Sequence, residues 1–264
     1  VVEQVLRDLR QAWRAMIHSP LLAAVVIVSL GVGIGVNTVV FSWIQALVFR
    51  PLPGVADASR FHLIEARAEN GTRPGSSWLE YRDLQAQLRA FPDLFAFRMI
   101  PFNLGEASRT ERTYGLLVSG NYFAALGLRP AMGRFLRADE AERPGSEPVV
   151  VISHGFWQTR LAGSPTVVGQ TLRINDHDLT IIGITPDGFQ GTVLGLDFDL
   201  WVPATLAPVL LKGSRELEDR SARGYYVMGK LGAGVTDAAA QGEATEAMQQ
   251  LAQLFPATNA AFTV

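Results

Sequence analysis

The sequence predicts an α+β protein: one amino-terminal transmembrane helix, preceded by an amphipathic interfacial helix and followed by a mixed α+β outer region of two subdomains. Three observations carry this prediction. No charged residue occurs from Ser19 to Phe49. Beyond Pro53, short strand-like runs alternate with helical patterns and meet in hairpins rather than in regular strand–helix–strand repeats. Only 18% of the 264 residues are charged, against 48% hydrophobic, where an ordinary soluble domain carries about 25% charged. The boundaries read as 1–19 for the interfacial helix, 20–50 for the span and 51–264 for the outer region.

The interfacial helix rests on spacing. Val2, Val5, Leu6, Leu9, Trp13, Met16 and Ile17 recur every three or four residues, while Arg7, Asp8, Arg10, Gln11 and Arg14 fall on the other face. Such a helix lies in the membrane plane, with Arg7, Arg10, Trp13 and Arg14 at the head-group level of the lipid bilayer. Docking onto a cytoplasmic partner is the alternative use of the same face. Pro20 then separates it from the span.

Leu21 to Phe49 exceeds the roughly 20 apolar residues that cross a hydrocarbon core as a helix. A secretory signal has a shorter apolar core and a small-x-small cleavage site, and "IQALVFRPLP" offers none. The stretch "LGVGIGVNTVVF" (30–41) places glycines at 31, 33 and 35. A dinucleotide fingerprint needs Gly-x-Gly-x-x-Gly, but Val36 stands where the third glycine belongs. A phosphate loop needs Gly-Lys-Ser/Thr, and the first lysine is Lys212. Helix packing explains the pattern better. Gly31 and Gly35 are four apart and leave a groove for a neighbouring helix. A buried amide such as Asn37 also needs a partner in hydrocarbon. The expected partners are further transmembrane helices. Arg7, Arg10 and Arg14 before the span, against Arg50 and Arg60 after it, favour a cytoplasmic amino terminus.

In the outer region, 60–67 has strand character and 71–77 is a loop, with Ser77 placed to cap a helix running from Trp78 to Pro92. Residues 113–119 read as a strand, 120–136 as a short helix and turn, and 142–148 as a seam between subdomains. Residues 147–153 form a buried strand, and 154–163 a helix ending at Gly163. Two strands, 169–175 and 178–186, make a hairpin around Asn175 and Asp176. A strand at 199–206, another at 224–231 and a helix over 236–255 complete the set.

The net charge of −2 gives no reason to expect nucleic acid, and the absence of cysteine excludes disulfides and thiolate chemistry. "NDHD" (175–178) superficially offers metal ligands but sits where a turn belongs. Ser153 and His154 are adjacent but lack the Gly-x-Ser-x-Gly elbow of a hydrolase. Asp197 and Asp199 share a strand face and could do acid–base work, or simply line a loop rim. No constellation amounts to a catalytic, metal or cofactor site.

Several stretches taken together resemble a known family. "SLGVGIGVNTVVFSWIQALVFRPLP" is similar to the first transmembrane helix of MacB/FtsX-type ABC transporter permeases, especially the duplicated orphan permease branch. "VSGNYFAALGLRPAMGRFL", "PVVVISHGFWQTRLAGSPTVVGQTLRINDHDLTIIGITPDGF" and "DLWVPATL" resemble the MacB-like periplasmic core domain, and "MGKLGAGVTDAAAQGEATEAMQQLA" resembles the strand and helix that follow it. The resemblance implies an inner-membrane permease with a cytoplasmic amino terminus and an extracytoplasmic domain of a porter-like and a smaller inserted subdomain. It implies a separate ABC ATPase as partner, so that the chain is no enzyme itself. Further implied partners are the remaining helices of the permease or a second permease copy. Family members continue into three more membrane helices, so the chain, ending at "ATNAAFTV", reads as an amino-terminal fragment. The alternative is a membrane-anchored extracytoplasmic ligand-binding or sensor module without an ATPase.

Overall fold

The computed structural model describes Gln4 and residues 20–48, 54–55, 57–68, 70–105, 110–141, 143–145, 147–193 and 195–264. The interfacial helix expected over 1–19, with Arg7, Arg10, Trp13 and Arg14, lies outside the described residues apart from Gln4. Residues 1–50 and 51–264 are two separate compact units.

In the first unit, α1 spans Pro20–Val48. Proline suits its opening position because the first turn of a helix has no acceptor for that N–H. Its stretch Ala24–Ser42 is long and apolar enough to cross a membrane, and those side chains are all exposed.

The second unit begins with β1 (Phe61–Ile64), β2 (Arg67–Ala68), β3 (Ser76–Ser77), α2 (Trp78–Gln87), β4 (Phe95–Leu104) and β5 (Glu111–Val118). It continues through α3 (Tyr122–Ala125), β6 (Met132–Gly133), β7 (Val149–Ile152), α4 (His154–Arg160), β8 (Thr171–Ile174) and β9 (His177–Ile184). It ends with β10 (Leu200–Pro203), α5 (Ala207–Leu210), β11 (Arg223–Lys230), α6 (Asp237–Leu254), α7 (Pro256–Asn259) and β12 (Phe262–Thr263).

One sheet runs in the order β1-β11-β4-β5-β10-β7-β9-β6, with β3 added to β11 and β8 to β4 and β9. Two halves meet where β5 and β10 pair in parallel, Gly115 opposite Leu200 and Val118 opposite Pro203. The first half is an antiparallel set of β1, β11, β4 and β5. The second joins β10, β7, β9 and β6, with β7 and β9 parallel. Residues 147–148 lead into β7 inside the second half, while the two halves join at the β5–β10 pair and again where β8 meets β4.

Both faces of the sheet are covered, which is why "VVVI" and "LWVP" read as unbroken apolar runs rather than alternating ones. Leu117, Val150, Ile152, Leu200, Val202 and Val227 face α2, α6 and α4. Their strand neighbours Leu116, Val118, Val151 and Trp201 face α3, through Tyr122 and Phe123. Successive side chains on opposite faces therefore serve two cores.

Local chemistry explains most boundaries. The hydroxyls of Ser77, Ser153 and Thr236 accept the N–H groups of Glu80, Phe156 and Ala239, capping α2, α4 and α6. Asn175 and Asp176 both take positive φ, 47° and 66°, and Ile174 pairs with His177 across them, the two-residue hairpin turn their chemistry favours. Two expectations need correction. The helix after Ser77 stops at Gln87 rather than at Pro92, because the Glu243 carboxylate on α6 accepts the N–H groups of Arg89 and Ala90 at 2.5 and 2.9 Å. Residues 60–67 split into β1 and the start of β2. The β4–β5 hairpin, whose first strand was not anticipated, is central to the first half. Pro101 is tolerated in β4 because β11 pairing ends at Phe97 and β8 pairing begins only at Leu104.

Gly115 stands at the junction of the halves. A Cβ there would lie 2.5 Å from the Leu200 carbonyl oxygen and 2.7 Å from the Phe102 ring. Gly115→Ala is expected to cost about 1–3 kcal/mol through overpacking, read as a lower urea midpoint of the outer unit by tryptophan fluorescence. An unchanged midpoint would show that the junction can relax.

Candidate functional site

Two places in the molecule could engage something else: the faces of α1 and a cleft beside α2. On α1, Gly31 and Gly35 lie about 40° apart around the helix axis, at 100° per residue, with Thr38 and Ser42 on the same stripe. Nothing outside the helix backbone comes within 4 Å of a Cβ built at Gly31, Gly33 or Gly35. The Thr38 hydroxyl donates to the Ile34 carbonyl at 2.8 Å, so it meets its own need within the helix. Asn37 falls about 120° from Gly31 and about 160° from Gly35. It lines a shallow groove with Ile34, Thr38, Val40 and Phe41. Asn37 therefore lies on a different side of α1 from Gly31 and Gly35.

The cleft beside α2 has a volume of about 420 Å³. One wall is α2 itself, fixed by a buried ion pair. Ser77 and Glu80 have the spacing of a capping box, in which the glutamate normally reaches back to the cap. Here the fully buried Glu80 carboxylate turns inward instead. It accepts from Arg223 at 2.8 Å and from the Asn259 side chain at 2.6 Å. Arg223 also donates to the Gly75 carbonyl at 2.8 Å and stacks over Phe262.

The floor is a closed hydrogen-bond network. Asn121 donates to the Leu94 carbonyl at 2.8 Å and accepts from Ser119 at 2.8 Å. Gln85 donates to the Tyr81 oxygen at 2.9 Å and to the Leu94 carbonyl at 3.1 Å. Burial pushes the Tyr81 phenol up, against the pull of hydrogen bonds and of the nearby Arg82 charge, so it stays neutral.

The opposite wall comes from residues 137–141 and Arg143. A Cβ on Gly120 would meet the Arg137 carbonyl at 2.7 Å and Ala138 at 2.9 Å, so glycine lets this segment close onto the end of β5. The fork of Arg134 holds the buried Glu140 carboxylate at 2.9 and 2.6 Å, and the Arg137 N–H adds a third bond at 2.9 Å. Arg82 and Arg143 line the cleft. Arg82 also lines an adjoining cleft of about 390 Å³ with Leu79, Pro144 and Leu217.

The sequence-level chemistry candidates have local roles. Ser153 caps α4 and contacts Asp199 at 3.4 Å. Asp199 also accepts from Thr113. The His154 ring faces Asp187 at 3.4 Å, not Ser153. Asp197 is exposed, and "NDHD" forms the β8–β9 turn. The cleft itself escaped sequence reading, because Tyr81, Asn121 and Arg143 come from three separate segments.

An apolar helix of membrane-crossing length joined to a two-faced α+β domain is the layout of a membrane-anchored protein with an extracytoplasmic domain. The family model of the MacB-like periplasmic core domain matches residues 23–247, and the chain belongs to that family. Among curated proteins it resembles the macrolide export ATP-binding/permease protein MacB of Burkholderia cenocepacia, 26% identical over 231 residues, covering 81% of this chain and 32% of that protein. The same-named protein of Burkholderia pseudomallei is 23% identical over 231 residues, covering 81% and 33%. The chain spans about a third of the length of these relatives. Its fold is that of the periplasmic region of MacB from Actinobacillus actinomycetemcomitans, with TM-score 0.58 and 16% identity over 79% of this chain and 89% of that one. It also matches the extracellular domain of the noncanonic ABC-type transporter YknZ from Gram-positive bacteria, with TM-score 0.56 and 13% identity over 77% and 99%.

The cleft wall yields a pH prediction. Burial alone would raise the Glu140 carboxyl, but Arg134 and Arg137 outweigh it and hold it below its ordinary value of 4.5. Such a group stabilises the fold above about pH 4.5 and loses that contribution as pH falls through the lowered folded value. Glu140→Gln is therefore expected to melt earlier than wild type at neutral pH, with the gap closing in acid. A gap independent of pH would mean the carboxylate charge is not what holds the wall.

Proposed function

We propose that this chain is the amino-terminal part of a permease subunit in an ABC-type export or mechanotransmission system. A separate cytoplasmic ABC ATPase hydrolyses ATP, and the resulting movement passes along α1 into residues 51–264 outside the inner membrane. In this reading residues 1–19 lie at the cytoplasmic surface, with Arg7, Arg10, Trp13 and Arg14 among the head groups. Residues 20–50 cross the bilayer, and 51–264 are the extracytoplasmic domain. The chain performs no ATP chemistry itself, in keeping with a sequence that has no Gly-Lys-Ser/Thr motif.

The observation that carries the reading is the pairing, in one chain, of a MacB-like periplasmic core domain with a helix that leaves two distinct faces open. The Gly31–Gly35 stripe suits close backbone approach of one further transmembrane helix. Asn37, on the other face, suits a hydrogen bond to a second. Helices of the same permease or of a second permease copy would supply both.

Two experiments test this. The sequence lacks cysteine, so a single cysteine at the exposed Thr72 reports topology cleanly. In cells carrying the whole permease, a membrane-impermeant maleimide is expected to label it from outside the inner membrane; labelling only after lysis would reverse the orientation. In the same permease, Gly31→Leu with Gly35→Leu is expected to abolish most transport while membrane insertion persists. Full transport by the double variant would remove the packing role.

A further inference from the structure

The cleft beside α2 is not accounted for by force transmission. Among the described residues its lining includes two arginines, Arg82 and Arg143, and no carboxylate. That is a local imbalance in a chain whose net charge is −2. Several other arginines are paired: Arg98 with Glu216, Arg134 with Glu140, Arg160 with Glu111, Arg173 with Asp178, Arg220 with Asp83 and Arg223 with Glu80. Among the described residues, Arg82 and Arg143 make no ion pair or hydrogen bond, and both are exposed at the rim.

The rest of the site is prepared rather than adaptable. The Tyr81–Gln85–Asn121–Ser119 floor has its hydrogen bonds satisfied internally, so a bound group need not reorganise it. One wall is held by the Glu80–Arg223 pair and the other by Glu140 and the close contact at Gly120. Beyond Arg82 an adjoining cleft offers Trp78, Leu79, Pro144 and Leu217 as apolar lining, with Asp83 and Thr205 beside them. The Asp83 charge on that side is matched by Arg220 at 2.5 Å.

We propose that this cleft binds a small amphipathic organic anion. Its carboxylate or phosphate head lies between Arg82 and Arg143, and its apolar body lies along Leu79, Pro144 and Leu217. Guanidinium groups match planar oxyanions with paired, charge-assisted hydrogen bonds, and the apolar surface selects against bare inorganic ions. The site does not depend on the permease reading, since it stands on the cleft alone. α2 comes from the first half of the sheet, and residues 137–141 with Arg143 from the second, so an occupant bridges the two halves.

The test uses the full chain in phosphatidylcholine nanodiscs, with empty discs as background, and isothermal titration of three probes. These are 4-phenylbutyrate, phenyl phosphate and the neutral 4-phenylbutyramide. At least one acid is expected to bind saturably, more weakly at higher ionic strength, and the tighter of the two identifies the head group. Arg82→Ala and Arg143→Ala are each expected to weaken binding about tenfold or more, the loss typical of a charged hydrogen bond. Neither side chain has a protein partner among the described residues, so both variants keep the wild-type melting temperature. Ala138→Trp gives an independent check: it fills the cleft without removing a charge and should abolish binding. The proposal fails if neither acid binds, if the amide binds as well as the acids, or if all three substitutions leave binding unchanged.

Discussion

Glu80 carries its carboxylate at zero exposure, and much of the outer domain is arranged to make that tolerable. An unpaired buried charge is prohibitive, so removing one partner of such a pair typically costs about 3–5 kcal/mol. Arg223 and Asn259 meet the need, one from β11 and the other from α7, with the Phe262 ring closing over the guanidinium. Positions nearly 180 residues apart are thereby tied to the first turn of α2. The pair adds little net stability over a well-packed apolar alternative. What it contributes is a fixed position for α2, and α2 is one wall of the cleft.

The sheet supplies the other constraint. With both faces covered, each strand serves two cores, and a one-residue slip would exchange every side chain between them. The first half is coupled to the second through β5 and β10, where Gly115 admits the Leu200 carbonyl. The two halves are thus joined by a continuous ladder rather than by a loose linker. The Glu140 cluster and the Gly120 contact serve the same end on a smaller scale, holding a loop wall at a set distance from a helix.

Much of this was legible in the sequence where local chemistry decides the outcome. Ser77, Ser153 and Thr236 cap because their hydroxyls lie three residues before an available N–H. Asn175 and Asp176 turn because they tolerate positive φ. The apolar run that became α1 needed no tertiary information. β4 was not legible, since a strand buried on both faces loses its alternation and Pro101 argues against a strand. Nor was the end of α2, which depends on a carboxylate at position 243. The phase of Asn37 relative to Gly31 and Gly35 was present in the numbering all along. It becomes informative only when converted to an angle about the helix axis. The cleft is a purely tertiary object, assembled from α2, the end of β5, residues 137–141 and Arg143.

The parallel pairing of β5 with β10 has one more consequence. Val118, the last residue of β5, lies beside Pro203 at the end of β10. Because the strands run parallel, the chain that leaves β5 at Val118 must travel back along the sheet before it enters β10 at Leu200, beside Gly115. The second half is therefore fastened to the first along a length of strand rather than at a point, and cannot pivot there without breaking that ladder.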